Sequence, residues 1–161
     1  MFKLNNWKEH IFKDDLIAVL INGLVVSILA GIIAGGIDYL FNKFNIRLSF
    51  GLLIIAFCVG YRINKAYFTF HILYPVLALV FMVFGLFVST LTFHVSIFGF
   101  KYAFYMLTEP TFYLYFITTP ISNLLVLRAG FDIKYLLLGI LDIIITIWSF
   151  WYCYRLAKGR N

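Results

Sequence analysis

Charged and polar residues collect in clusters along this chain, and the stretches between them are almost wholly apolar. The first stretch, residues 16–37, carries no charge over 22 residues. At 1.5 Å of rise per residue that is enough helix to cross a hydrocarbon core of about 30 Å. The second, residues 48–64, is uncharged only from Leu48 to Tyr61, but Arg62 lies where a long side chain can reach back to an interface. The third, residues 72–94, has Pro75 in its first turn, where a missing N–H costs least. The fourth, residues 134–155, thickens toward its end with Trp148, Trp151, Tyr152 and Tyr154, as an interfacial aromatic belt does. The pattern predicts an all-α membrane protein with four transmembrane helices in a compact bundle, forming one domain over residues 16–161.

Two segments stand outside the four spans. Leu4, Trp7 and Ile11 share one helical stripe, with Lys3, Lys8 and Lys13 around the rest, so residues 1–15 read as an interfacial helix or a tail. About forty residues separate the third and fourth spans, too many for a structureless connector in so small a protein. Within them "PTFYLYFITTPISNLLVL", residues 110–127, is aromatic and apolar but interrupted by Pro110, Pro120, threonines, Ser122 and Asn123. It reads as a re-entrant or interfacial segment, with a fifth span as the rival. Charge counting separates them. Four spans with both termini cytoplasmic place eight Lys and Arg inside and five outside, whereas a fifth span gives seven against six.

Inside the first span, "GLVVSILAGIIAGG" sets Gly23, Ser27, Gly31 and Gly35 four residues apart. In lipid, apolar side chains gain little by leaving their solvent, so helices associate where small residues let backbones approach. The stripe is therefore a packing rail, facing another helix of the chain or a partner. Weaker versions recur: Ala56 and Gly60 in the second span, Ala78, Met82, Gly85, Ser89 and Thr92 in the third, and Gly139, Asp142, Thr146, Ser149 and Cys153 in the fourth. Each helix has one small or weakly polar face, leaving larger residues for lipid.

Composition agrees with the spans. With 63% hydrophobic and 12% charged residues and a mean hydropathy of +0.97, the chain lacks the polar surface to coat a water-soluble globule. The net charge of +6 sits at the ends of apolar runs rather than in a groove interleaved with aromatics, so no nucleic-acid partner is expected. Expected partners are the lipid bilayer and either a second membrane protein or further copies of this chain. Cys58 and Cys153 both fall inside spans without metal-ligand spacing and read as buried spectator thiols.

"FGLLIIAFCVGYRINKA", residues 50–66, and the closing "TPISNLLVL…IITIWSFWYCYRLAKG" resemble a group of small polytopic bacterial inner-membrane proteins. Those chains pair a glycine-rich first span with a Gly-Tyr-then-basic end to the second and finish on an Ala-Tyr-Arg-like helix end. This chain has Cys153 and Tyr154 where the closing Ala-Tyr would stand, and it lacks the N-terminal zinc-ribbon cysteines found in some of the group. The resemblance implies a cytoplasmic-membrane location and no particular activity.

No phosphate-binding loop, HExxH, GxSxG or paired-carboxylate metal pattern occurs, so no metal or cofactor is expected. The polar residues must be weighed singly. His71 and His94 mark opposite ends of the third span and cannot share a metal. Asp38 closes the first span beside Lys43 and Arg47, where a local surface ion pair is expected. Asn22 sits beside the rail as a candidate for an interhelical hydrogen bond. Glu109 and Asp132 flank the aromatic segment as candidate interface acids. Asp142 stands out: eight residues after Lys134 it lies about 12 Å into the membrane, close to mid-span, where an acid costs about 2.5–3.5 kcal/mol on insertion scales. Three readings follow: a non-enzymatic accessory or assembly subunit, a small oligomeric transporter or channel with Asp142 and Thr146 on a polar route, and an intramembrane enzyme working through Glu109 or Asp132 at the outer interface.

Overall fold

The computed structural model describes residues 12–44, 50–113 and 133–159, so residues 1–11 of the element expected over 1–15 and residues 114–127 of the aromatic segment lie outside the described residues, while Lys13, Asp14 and Asp15 belong to the first long helix. Five helices follow in order among the described residues, α1 Lys13–Lys43, α2 Phe50–Asn64, α3 Leu73–Phe98, α4 Phe100–Thr108 and α5 Ile133–Lys158, with residues 110–113 also helical. No strand occurs among the described residues. Among the described residues three helices are long and apolar enough to cross a membrane: α1, α3 and the Gly139–Lys158 part of α5. The 15 residues of α2 fall short of that length.

Helix α1 runs well past both limits of its uncharged stretch because charge does not break a helix. Asp14 and Asp15 fall in its first turn and Lys43 in its last, each on the side that the helix dipole favours. Gly99, at φ 85°, separates α3 from α4. Its N–H closes the last turn on the Val95 carbonyl at 2.9 Å, and the left-handed backbone turns the chain away there.

Packing begins at the small-residue stripe. Gly23, Ser27, Gly31 and Gly35 are all buried, and the stripe faces α3, which runs parallel to α1. A methyl group added at Gly31 would stand 2.6 Å from the Gly85 carbonyl oxygen and 2.8 Å from Val88 Cβ. One added at Gly35 would meet the Ser89 carbonyl and stand 2.8 Å from Thr92 Cβ. Gly85 is pinned from a second side, since its own added methyl would lie 2.8 Å from Ile55 Cγ2 of α2. Both backbones have come within van der Waals reach, and a side chain on either helix would part them.

Helix α2 sits between the others, packing on α1, α3 and α5, and 7 of its 15 residues are buried. Three-sided contact compensates for its small length, with Ile55, Ala56, Val59 and Ile63 wholly inaccessible. Helix α5 approaches it at Gly60, where an added methyl would stand 2.8 Å from the Cys153 carbonyl. The opposite faces are aliphatic and open, among them Ile21, Leu29, Ile33, Val80, Ile144 and Ile147. Such surface suits a hydrocarbon solvent, not water.

The α1–α3 contact makes a direct prediction. Gly31→Leu should cost about 1–3 kcal/mol or more by overpacking, read as a lower unfolding temperature in a fixed detergent. Gly36→Leu attaches the same side chain where an added methyl meets nothing within 4 Å and should leave the temperature unchanged.

Candidate functional site

Polar side chains gather at three levels of the bundle. At the first, where α1 begins and α5 ends, Asp15 of α1 is buried and its Oδ2 accepts the backbone N–H groups of Phe68 at 3.3 Å and Thr69 at 3.1 Å. These belong to the connector between α2 and α3, whose donors have no helical partner. Tyr67 in the same connector donates its hydroxyl to the Ala157 carbonyl of α5 at 2.6 Å and stacks on the buried Tyr74 at 4.9 Å. His71 Nδ1 accepts the Leu73 N–H at 3.1 Å, an acceptor for the first turn of α3. One short loop thus ties three helix ends. Beside it Phe12, Asp14, Ala18, Ala66 and Phe68 line an open groove of about 500 Å³.

Burial pushes the Tyr67 hydroxyl up to about 12 from the usual 10.0, with the neighbouring Tyr74 adding to it. The folded chain therefore keeps a proton that the unfolded chain releases.

The second level lies about two turns further along α1. Asn22 Nδ2 donates to the Ala18 carbonyl at 2.8 Å, and its Oδ1 accepts the Nε–H of Arg62 at 3.0 Å. The amide is thus used toward both its own helix and α2.

The third level is at the other end. Asp38 does not pair with Lys43, as its place in the sequence led us to expect. Its Oδ1 accepts the Gly51 N–H at 3.1 Å, because the opening turn of α2 has free donors that a carboxylate satisfies well. Lys43 instead lies over the Tyr39 ring, 4.8 Å from its centre, and Arg47 is outside the described residues.

Asp142 is buried and lies near enough to Asp38 across the bundle to act on it electrostatically. Register explains the meeting. Cys153 Sγ donates to the Ala78 carbonyl at 3.8 Å, and α5 runs antiparallel to α3. Counting eleven residues from each partner brings Asp142 level with Ser89, whose carbonyl faces Gly35, and Asp38 is one turn beyond. Gly35 lies about 10 Å from the middle of α1, so Asp142 belongs to the far half of the bundle and not to its centre. Thr146 Oγ1 donates back to the Asp142 carbonyl at 2.7 Å, and Gly139 is buried on the same face.

The remaining candidates are scattered. Glu109 ends α4, half-buried and hydrogen-bonded to the Tyr105 hydroxyl, while Asp132 lies outside the described residues. His94 Nδ1 bonds the Thr90 carbonyl oxygen at 2.7 Å, far from His71 along α3. No group of three His, Cys, Asp or Glu is placed to hold a metal among the described residues. Sequence reasoning passed over Asp15, Tyr67 and the pairing of Arg62 with Asn22. Asp15 looks like a solvated first-turn acid, and only the aromatic connector "AYFTFHI" signalled that residues 66–72 are more than a linker. The chain matches no family model, no curated protein and no solved structure.

Tyr67→Phe tests the tie at the first level. Below pH 10 the wild-type chain should be more stable by about 0.5–1.5 kcal/mol, the net worth of one hydrogen bond. A folded-state value raised from 10.0 to about 12 means that this margin shrinks as pH rises from 10 through 12. Unfolding midpoints over a pH series measure it, and a gap that stays constant to pH 12 contradicts the assignment.

Proposed function

We propose that this is a four-span protein of the bacterial cytoplasmic membrane that works as a non-enzymatic accessory or assembly subunit, associating through its helices with a larger membrane complex. The observation that carries this reading is what the polar groups bond to. Asp15, Asp38, Tyr67, Ser27, Thr146 and Ser149 each engage main-chain groups, so they serve to build the bundle and hold its loops. The outward faces of α1 and α5 remain apolar, aliphatic on α1 and mixed with Trp148 and Trp151 on α5, and available for association in the plane of the membrane.

The fourth span is α2. Alone it rises about 22 Å, but α2 with its exit loop extends from the level of Asp38 to that of Asp15, about 34 Å along α1. Both ends of the bundle's backbone, the start of α1 and the end of α5, lie at one side, which supports an even number of crossings. Among the described residues Lys13, Arg62, Lys65, Arg155 and Lys158 gather at that side, against Lys43 and Lys101 at the other. That bias supports a cytoplasmic location for both termini. With α5 antiparallel to α3, a single crossing within 110–127 is disfavoured, and a re-entrant or interfacial segment fits. The bacterial membrane follows from the resemblance carried by residues 50–66 and the closing helix.

A second reading, a small oligomeric transporter or channel, is favoured by one observation: the facing of Asp38 and Asp142 across the bundle, with Thr146 one turn away. Two carboxylates at that depth could hold a proton or cation in transit.

Purification in mild detergent followed by mass spectrometry separates the two. The assembly reading expects a stoichiometric membrane-protein partner, retained by Asp142→Asn and weakened by Asp142→Leu, since the amide keeps the shape and the hydrogen bonds. Recovery of a homo-oligomer alone, with solute flux into vesicles abolished by Asp142→Asn, overturns it in favour of transport.

A further inference from the structure

We propose that Arg62, oriented by Asn22, binds the phosphate of an anionic phospholipid in the leaflet at the first level of the bundle. The inference depends on the chain residing in a bilayer. Arg62 is exposed on the outside of the α1–α2 pair. Its Nε–H is taken by Asn22 Oδ1 at 3.0 Å, and Asn22 is itself held by the Ala18 carbonyl at 2.8 Å. Among the described residues Arg62 makes no ion pair. One edge of the guanidinium is therefore fixed, and the N–H groups of its two Nη atoms form a fork suited to two oxygens of a phosphate.

Depth explains why this fork needs an anion. Helix α1 has 31 residues and rises about 46 Å, matching a bilayer with its headgroups, about 40–45 Å. Asn22 is nine residues in, and its amide folds back onto Ala18, which is five residues in. The amide and the guanidinium bonded to it thus lie about 10 Å below the surface, just past the border of the hydrocarbon. Counting eleven residues along α2 from the contact of Gly51 with Ala34 sets the Arg62 backbone level with Gly23, deeper than the Asn22 amide, so its side chain climbs only as far as the border of the hydrocarbon. A cation there is costly unless an anion meets it.

A lipid phosphodiester needs only a small descent to reach that depth. Ile21 and Val25, about half exposed on either side of Asn22, offer a surface for its acyl chains. Lys65, exposed and one turn nearer the surface, adds a second positive charge. That charge favours a headgroup with no cation of its own, selecting an anionic lipid over a zwitterionic one.

The test uses the full chain in nanodiscs of equal parts phosphatidylglycerol and phosphatidylcholine, with native mass spectrometry counting the lipid that stays bound. Wild type should retain phosphatidylglycerol in preference, and inorganic phosphate in the buffer should not displace it. Arg62→Gln should lower that retention by about tenfold, the worth of a charge-assisted bond pair, and Asn22→Ala by about threefold as the fork loses its orientation. Lys101→Gln, on exposed α4 at the other end, should match wild type. Unfolding temperatures confirm that each variant is folded, and flotation with lipid vesicles tests membrane residence separately from the lipid site. Equal retention by wild type and Arg62→Gln overturns the proposal. So does loss of a copurifying membrane protein from Arg62→Gln with lipid retention unchanged, which assigns the cation to a partner's carboxylate.

Discussion

Everything in this bundle depends on how closely α1 and α3 approach at Gly31 and Gly85. Inside a hydrocarbon solvent no hydrophobic gain pulls apolar helices together, so contact between well-fitted surfaces must supply the cohesion. Two glycines facing one another bring carbonyl and Cα within touching distance. That separation sets the groove into which α2 lays Ile55, which meets Gly85 from the other side. The position of α2 in turn fixes α5, whose backbone at Cys153 closes on Gly60. The arrangement grows outward from one narrow contact, and the aliphatic exterior is what remains after each helix has turned its small face inward.

The faces of these helices were legible in the sequence, because small residues at a spacing of three to four define a stripe whatever they pack against. Gly23, Ser27, Gly31 and Gly35 could be read that way, as could Ala78, Met82, Gly85 and Ser89, or Asp142, Ser149 and Cys153, all of which are buried. What each stripe meets could not be read, since periodicity describes one helix and pairing involves two. Helix limits were also hidden: α1 continues to Lys43 because hydropathy marks where apolar residues end, not where hydrogen bonding ends. Asp142 announced itself by standing in an apolar run. Its relation to Asp38 did not, because it arises from the register of α5 on α3 and of α3 on α1. Asp38 and Asp15 went unnoticed as loop and helix-end anchors because their acceptor role appears only once an unpaired N–H is brought to them in space.

The polar groups have a common economy. Carboxylates at Asp15 and Asp38 each meet main-chain donors that a connector or a helix start would otherwise leave unsatisfied. At a buried helix end such bonds replace the partners that the helix itself lacks. The two acids therefore act as brackets for α2, one at its start and one just beyond its end. This structural use explains why acidic residues are tolerated in so apolar a chain without any appeal to catalysis.

The parallel seam between α1 and α3 also has a consequence for synthesis. Gly85 is translated some fifty residues after Gly31, a delay of about 3–10 s at ordinary elongation rates. During that interval the rail of α1 has no mate, and α2, the first helix to follow, meets α1 on a different line through Ala34 and Asp38. The nascent α1–α2 hairpin thus carries a glycine-lined groove open to any neighbouring helix with a small face. The order of emergence makes α3 the closing piece, and a ribosome that stops before it leaves behind an adhesive hairpin instead of a folded half.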